Sequence, residues 1–271
     1  MARSTSTLSS VLCVIAHPDD ELFNAGTLVH LAQHGVDVHL VCATRGEQGA
    51  PGYPPLDDLT ELGQVRSQEM NCAAEVIGAA SLEFLGYVDE TGEDSVLIEF
   101  AHDPTQLRED ITHAIQQTQA EVIITHGSDG EYGHPAHKLL HRAVCDAANA
   151  LASPLVYSFQ ASFDGHPDPK NANQSDTADV VVDTACYLES HVMPMFECHR
   201  TQSSWWLHLK TQKLGRPATK AEAWHLHPRK GLCRQVPKDT SASQIDDIFT
   251  RWLAAHPSQP AQSFTPAELS A

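Results

Sequence analysis

Two short stretches of this chain carry the side chains that metal-assisted hydrolysis needs. The first, His17-Pro18-Asp19-Asp20-Glu21, offers an imidazole beside neighbouring carboxylates; the second runs from Gly127 and ends in Gly133-His134-Pro135-Ala136-His137. A catalytic zinc site takes three protein ligands and keeps one coordination position open. His17 and Asp20 can turn inward together from a tight loop stiffened by Pro18, and His137 is the candidate third ligand. Adjacent carboxylates allow a division of labour. Asp20 binds the ion while Asp19 stays free as general base toward a water whose pKa the ion lowers to ~7. His134, three residues before His137 on one helical face, is positioned to donate a hydrogen bond or a proton to an oxyanion or a leaving amine. Iron suits the same imidazole and carboxylate donors, so the ion reads as one zinc with iron as its substitute.

The elements that must position these groups are legible on either side of them. Val11 to Ala16 is an apolar, β-branched run that reads as a buried strand ending at His17, and Glu121 to His126 is a second such strand ending at the Gly127 loop. Polar clusters at the ends of strands are where open α/β sheets bind ligands. Leu22 to His34 has amphipathic helical spacing and stops at Gly35; strands are expected at Val36–Ala43, Leu82–Leu85, Val96–Phe100, Leu155–Phe159 and Val180–Val182. Further helices are expected over Glu61–Gly78, Pro104–Gln119 and Pro135–Leu151, the last with proline in its first turn. This alternation predicts a Rossmann-like α/β fold: a mostly parallel sheet, helices on both faces, and the site at the C-terminal strand edge. The chain reads as a single domain, with a core from about 10 to 205 and a partly irregular C-terminal extension over 206–271. Thr44 to Thr60 is a Gly/Pro-rich loop, long enough between Gly49 and Leu56 to act as a lid. Gly165 to Thr177 reads as an exposed loop, and the tail after His256 as mobile.

Composition narrows the function classes. The chain has 271 residues, 41% hydrophobic, with 35 acidic against 17 basic residues and a formal net charge of −18. Such a chain is a poor ligand for a phosphate backbone, so no nucleic-acid partner is expected. No apolar run approaches the ~18 residues of a membrane span, and none fits a secretory leader. Seven cysteines without a CxxC pair suggest no disulfide framework and a reducing cytoplasm, with Cys13, Cys42 and Cys72 as small core residues.

Ala16-His17-Pro18-Asp19-Asp20-Glu21 resembles the AHPDDE signature of the LmbE/PIG-L-type zinc de-N-acetylases, and Gly133-His134-Pro135-Ala136-His137 resembles that family's GHPDH motif. Weaker likenesses are Thr44-Arg45-Gly46-Glu47-Gln48-Gly49 to its T-x-G-E-x-G loop, Arg66 and Glu69 to its R-x-x-E helix, and His199-Arg200-Thr201-Gln202 to its H-x-[ST]-Q ending. The resemblance implies zinc on His17, Asp20 and His137, Asp19 as base, and His134 assisting the oxyanion or the departing amine. It further implies a carbonyl-polarising role for Tyr132, a substrate-holding role for Arg66, and removal of acetyl from an N-acetylglucosaminyl group. The partner so implied is a small-molecule amide or N-acetyl sugar; a second copy of the chain is a further candidate. Two departures stand out: Ala136 replaces the family's usual aspartate, and His191 stands where a lysine is common.

Among the remaining polar residues, Glu21 reads as favouring the start of the next helix, His126 as a core or supporting histidine, and Glu47 as either a loop hydrogen-bond partner or support for a ligand. His199 reads equally as a cover for the site or as a helix-surface residue. Trp205, Trp206 and Trp224 read as packing or a protomer contact, and His225 with His227 as a coincidence of composition. Two rival functions use the same residues: a magnesium-dependent phosphoryl-transfer domain built on Asp19 and Asp20, and a non-catalytic zinc-binding member of the family. Hard magnesium prefers oxygen ligands, which the imidazoles argue against.

Overall fold

A computed structural model of the chain describes residues 7–90, 92, 96–151, 154–224, 226–236 and 247–258. The expected mobile tail beyond residue 258 and His225 lie outside them.

β1 (Ser10–Ile15) is the centre of the sheet. Val11, Cys13 and Ile15 enter one core and Leu12, Val14 and Ala16 the other, all fully buried. A strand covered on both faces can be apolar throughout, and each fully buried Val, Leu or Ile contributes about 1.5–3 kcal/mol. β1 is followed by α1 (Ala25–Gln33), β2 (Asp37–Cys42), α2 (Leu62–Ile77) and β3 (Ser81–Phe84). Then come α3 (Pro104–Thr118), β4 (Val122–Thr125), α4 (Pro135–Leu151) and β5 (Leu155–Ser158). Asp103 starts α3 by accepting the amides of Thr105 and Gln106 ahead of Pro104 in the first turn. α1 and α2 pack on the Val11 face, α3 and α4 on the Leu12 face. The second half adds a short pair, β6 (Ala161–Ser162) and β7 (Asn173–Thr177), then β8 (Val180–Asp183), α5 (Met193–Cys198), α6 (Arg200–Leu214), α7 (Lys220–Ala223), β9 (Arg229–Val236) and α8 (Ile248–Ala255).

The large sheet has the order β3-β2-β1-β4-β5-β9-β8. Its first five strands are parallel, and β9 runs antiparallel to both β5 and β8. The mostly parallel α/β sheet with helices on both faces is the expected fold. From β1 the chain moves outward through β2 and β3; from β4 it moves outward the other way through β5. The crevice between β1 and β4 is therefore the topological switch point, above the carboxyl ends of both strands. Val14 pairs with Thr125 there, so the two strands end level and release their loops side by side.

Several expectations fail locally. No strand forms over Val96–Phe100, because only Leu97 makes an isolated bridge and Val96 and Leu97 stay exposed. The loop expected over Gly165–Thr177 ends in β7, whose Asn173 and Asp176 are buried and bonded rather than solvated. The irregular C-terminal extension supplies β9, a strand inside the sheet. Its sequence hides it: Lys230 and Gln235 are polar yet buried. Cys13 and Cys42 are core residues as expected, but Cys72 is exposed and forms a disulfide with Cys198, tying α2 to α5. Two cysteines 126 residues apart carry no spacing signal.

Candidate active site

The loops after β1 and β4 meet at the switch point. His17 Nδ1 lies 3.3 Å from Asp20 Oδ2 and 3.3 Å from His137 Nε2, and His137 Nε2 lies 3.3 Å from Asp20 Oδ1. All three residues are buried. Ligands ~2.1 Å from a tetrahedral centre are about 3.4 Å apart, a spacing that the separations in this triangle match, with His17 and His137 meeting different oxygens of the Asp20 carboxylate. Two other imidazoles stand close, and among the described residues His17–His134–His137 and Asp20–His126–His137 are compact donor groups. Ring orientation separates them. His137 stacks nearly parallel to both His126 (3.9 Å between centroids, 22°) and His134 (4.4 Å, 15°). Lone pairs lie in the ring plane, so stacked rings do not aim at a common ion. His17 and His137 are tilted by 46° and can converge. His126 Nε2 is moreover occupied as acceptor of the Ala16 amide at 3.0 Å.

Glu131 was not among the expected site residues, yet it organises the second loop. Its buried carboxylate accepts His137 Nδ1 at 2.5 Å, His126 Nδ1 at 3.1 Å and the Gly127 amide at 3.0 Å. These donors hold its pKa far below the ordinary value against the opposing effect of burial. A carboxylate behind a ligand histidine fixes the tautomer that leaves Nε2 unprotonated for metal. Asn173 of β7 completes the cluster by donating to Glu131 Oε1, and a side chain at Gly127 would collide with it, since a Cβ there would sit 2.0 Å from Asn173 Cγ. His17 Nε2 faces Asp89 Oδ1 at 3.5 Å, beyond good hydrogen-bond length. Asp89 is held in turn by its own amide donating to Glu47 at 3.0 Å.

Asp19 stands beside the triangle with a left-handed backbone, φ 93°, a conformation uncommon for a non-glycine residue and maintained only where its surroundings insist on it. Its amide donates to Glu21 Oε2 at 3.0 Å, and Glu21 Oε1 accepts His199 Nε2 at 2.5 Å. Burial acts to lower the His199 pKa, but the adjacent Glu21 carboxylate overcomes it and holds the ring above its ordinary value. Glu21 lies in the first turn of a short 3-10 helix, Asp20–Phe23, as expected of a helix start, and braces Asp19 as well, while His199 is wholly buried on no surface at all. Arg66 donates to Asp19 Oδ1 at 3.1 Å, to the Pro18 carbonyl, and to the Gly46 carbonyl at 2.8 Å. Gly46 is required by this contact: φ is +64°, and a Cβ would sit 2.0 Å from Arg66 Nη1. Burial pushes the Asp19 carboxyl up to about 7, with Arg66 pulling it down and Asp20 pushing it further up.

A cavity of about 700 Å³ opens above these residues. His134 and Tyr132 line it, with Tyr132 half-exposed and its ring 5.7 Å from that of His134. At Ala136 the amide donates to His134 Nδ1 at 3.2 Å, so the neutral ring carries its proton on Nε2. Burial, helped by the charges of His137 and His17, brings His134 down to about 3. The Gly49–Leu56 loop is docked on α6: Ala50 exchanges hydrogen bonds with Gln202, and Tyr53 stacks on His208 at 3.4 Å. Trp206 and Trp224 line the cavity instead of acting only in packing.

The family described as PIG-L, GlcNAc-PI de-N-acetylase, matches residues 12–148, about half of the chain and both motif loops. The chain belongs to this family. A 1D-myo-inositol 2-acetamido-2-deoxy-alpha-D-glucopyranoside deacetylase of Geodermatophilus obscurus is 33% identical over 159 residues, 53% of this chain and 54% of that protein. The chain spans about half the length of the curated relatives it matches. Among solved structures, N,N'-diacetylchitobiose deacetylase of Pyrococcus horikoshii aligns over 84% of each chain with a TM-score of 0.58 and 18% identity. The 4-carboxy-2-hydroxymuconate hydratase of Pseudomonas putida aligns over 86% of this chain and 99% of its own, also at 0.58, with 19% identity. The family's fold thus carries more than one chemistry, and the reaction must be argued from the site.

Proposed function

We propose that this chain is a zinc-dependent hydrolase that removes the N-acetyl group from an N-acetylglucosaminyl-type small molecule. His17, Asp20 and His137 hold the ion, Asp19 is the general base, and iron is the substitute metal. The observation that carries this reading is the 3.3 Å triangle of His17, Asp20 and His137 with unligated Asp19 at its side. Zinc, when bound there, polarises the amide carbonyl and lowers the pKa of water toward ~7.

The chain's own residues supply the proton handling. Asp19 keeps Oδ1 on Arg66 and takes the proton of the attacking water on its other oxygen, then passes it to the leaving amine. Burial raises the pKa of the Asp19 carboxyl and so helps it hold the proton between the two transfers. Arg66, read from sequence as a substrate-holding residue, is here a positioning residue for the Pro18–Asp19 turn. His134, neutral with its proton on Nε2, donates a hydrogen bond to the oxyanion, which favours that half of its expected role over proton delivery. Tyr132, on the rim, is a second donor to the carbonyl oxygen.

The same reading takes the chain as one domain, with the extension 206–271 lining the cavity through α6 and joining β8 to the sheet through β9. No helix among the described residues is long and apolar enough to cross a membrane. A cytoplasmic location belongs to the reading, and the Cys72–Cys198 bond is the feature that counts against it.

The test is release of free amine from a panel of N-acetylglucosaminides by zinc-loaded protein. Asp19→Ala should cut turnover about 10²–10⁴-fold with zinc content intact, and His137→Ala should lower zinc occupancy itself. Turnover near wild type in Asp19→Ala removes the base assignment. Silence of the loaded wild type across the panel favours the non-catalytic reading.

A further inference from the structure

The cavity does not end at the metal triangle. Trp206, Leu209, Lys210 and Lys213 of α6 all line it. Their spacing of three and four residues places them on one helical face. Gln202 lines the cavity near the Asp19 turn, and Lys213 lies eleven residues further along the same helix. At 1.5 Å per residue the wall is ~16 Å long, more than one sugar ring occupies. Trp224 also lines the cavity and packs edge-on against Trp206, their ring centroids 5.9 Å apart.

The two ends of the cavity differ in sign. Asp19, Asp20 and Asp89 outnumber Arg66 at the catalytic end, and Lys210 and Lys213 line the far end. Among the described residues neither lysine is in an ion pair. In a chain with 35 acidic and 17 basic residues, two lysines three residues apart on one helical face, beside an apolar wall, form a local cationic patch. Trp206 is 40% and Leu209 36% exposed, so the wall itself is uncovered. Large apolar side chains rimmed by charge at the mouth of a cavity are what a ligand of matching shape and charge covers.

We propose that this far end is a subsite for the leaving portion of the substrate, and that it selects an aglycone with an apolar stem ending in an anion. Trp206, Leu209 and Trp224 take the stem; Lys210 and Lys213 take a carboxylate or a phosphate. The proposal rests on the hydrolase reading above and adds the substrate class to it.

The experiment uses four N-acetylglucosaminides that share one alkyl stem and end in methyl, carboxylate, phosphate or trimethylammonium. Turnover by the zinc-loaded protein is measured for each, together with binding by tryptophan fluorescence. The expected result is a kcat/KM about tenfold higher for both anionic substrates than for the methyl one, equivalent to about 1.4 kcal/mol. The gain should lie in KM and shrink with added salt. In Lys210→Gln/Lys213→Gln the anionic-to-neutral ratio should fall toward one, and in Lys210→Glu/Lys213→Glu the trimethylammonium substrate should become the preferred one. Carboxylate and phosphate arms of unequal gain identify which anion the site fits. Equal kcat/KM across the four, or a preference that survives both double variants, overturns the subsite while leaving the hydrolase reading intact. Lysine-dependent anion preference in binding without turnover of any substrate keeps the subsite and overturns the reaction.

Discussion

Glu131 decides what His137 can do. Its carboxylate accepts hydrogen bonds from both His137 and His126 at a single loop position, and it has no solvent to compensate if those donors are lost. Glu131→Gln keeps the shape but replaces an acceptor with an amide that must turn an N–H toward one of its partners. We expect zinc affinity to fall about 10–100-fold, measured by competition with a chromophoric chelator; unchanged affinity would mean that His137 needs no support. Arg66 poses a complementary case. It is buried and spends its guanidinium on the chain itself, at Asp19, Pro18 and Gly46. Arg66→Met should lower kcat more than it raises KM, with zinc content retained. A rise in KM alone would restore the substrate-holding role implied by the family resemblance.

At the scale of elements, the decisive contacts join α2, the Thr44–Thr60 loop and the α5–α6 junction beneath the Asp19 turn. Arg66 and Glu69 leave one face of α2; Arg66 reaches Gly46, while Glu69 accepts both the amide and the hydroxyl of Thr201 at 2.7 Å. Gly46→Ala would push a methyl group into Arg66 and strain a positive φ. It should reduce turnover at least tenfold without removing zinc, a result that a merely solvent-facing loop would not give. The disulfide fastens the same junction from outside. Closing a loop of well over a hundred residues by Cys72–Cys198 should contribute about 2–4 kcal/mol. Thermal unfolding with and without reductant measures it, and an unchanged midpoint would mean that the bond is not closed in solution.

Across the whole molecule, the sheet extends through a strand that carries a buried lysine. Lys230 of β9 is 1% exposed, and burial brings its amine down to about 7. The unfolded chain, with an ordinary lysine, binds more protons than the folded one between pH 7 and pH 10, so stability rises with pH across that window. Wild type should gain on Lys230→Met by on the order of 1 kcal/mol per pH unit there, read from denaturant midpoints at several pH values. A constant difference would mean that the amine stays protonated in the fold. Sequence by itself determined the buried parallel strands, the helices between them and the chemistry of the two loops. Local periodicity and donor types carry that information, and β1 and β4 are short β-branched apolar runs that end at polar loops. It also pointed to His17, Asp19, Asp20, His134 and His137, because their types and spacing are chemically unusual. Only the tertiary structure decided that the Ala16 amide occupies His126 Nε2 beside Asp20, that Glu131 braces His137 while Glu21 and His199 brace the Asp19 turn, and that polar β7 and β9 are strands. Some of those partners are far apart in sequence, as Ala16 is from His126 and His199 from Glu21, and others are near, as Glu131 is to His137; in both cases ring orientation and burial decide the contact, and neither leaves a mark in local sequence.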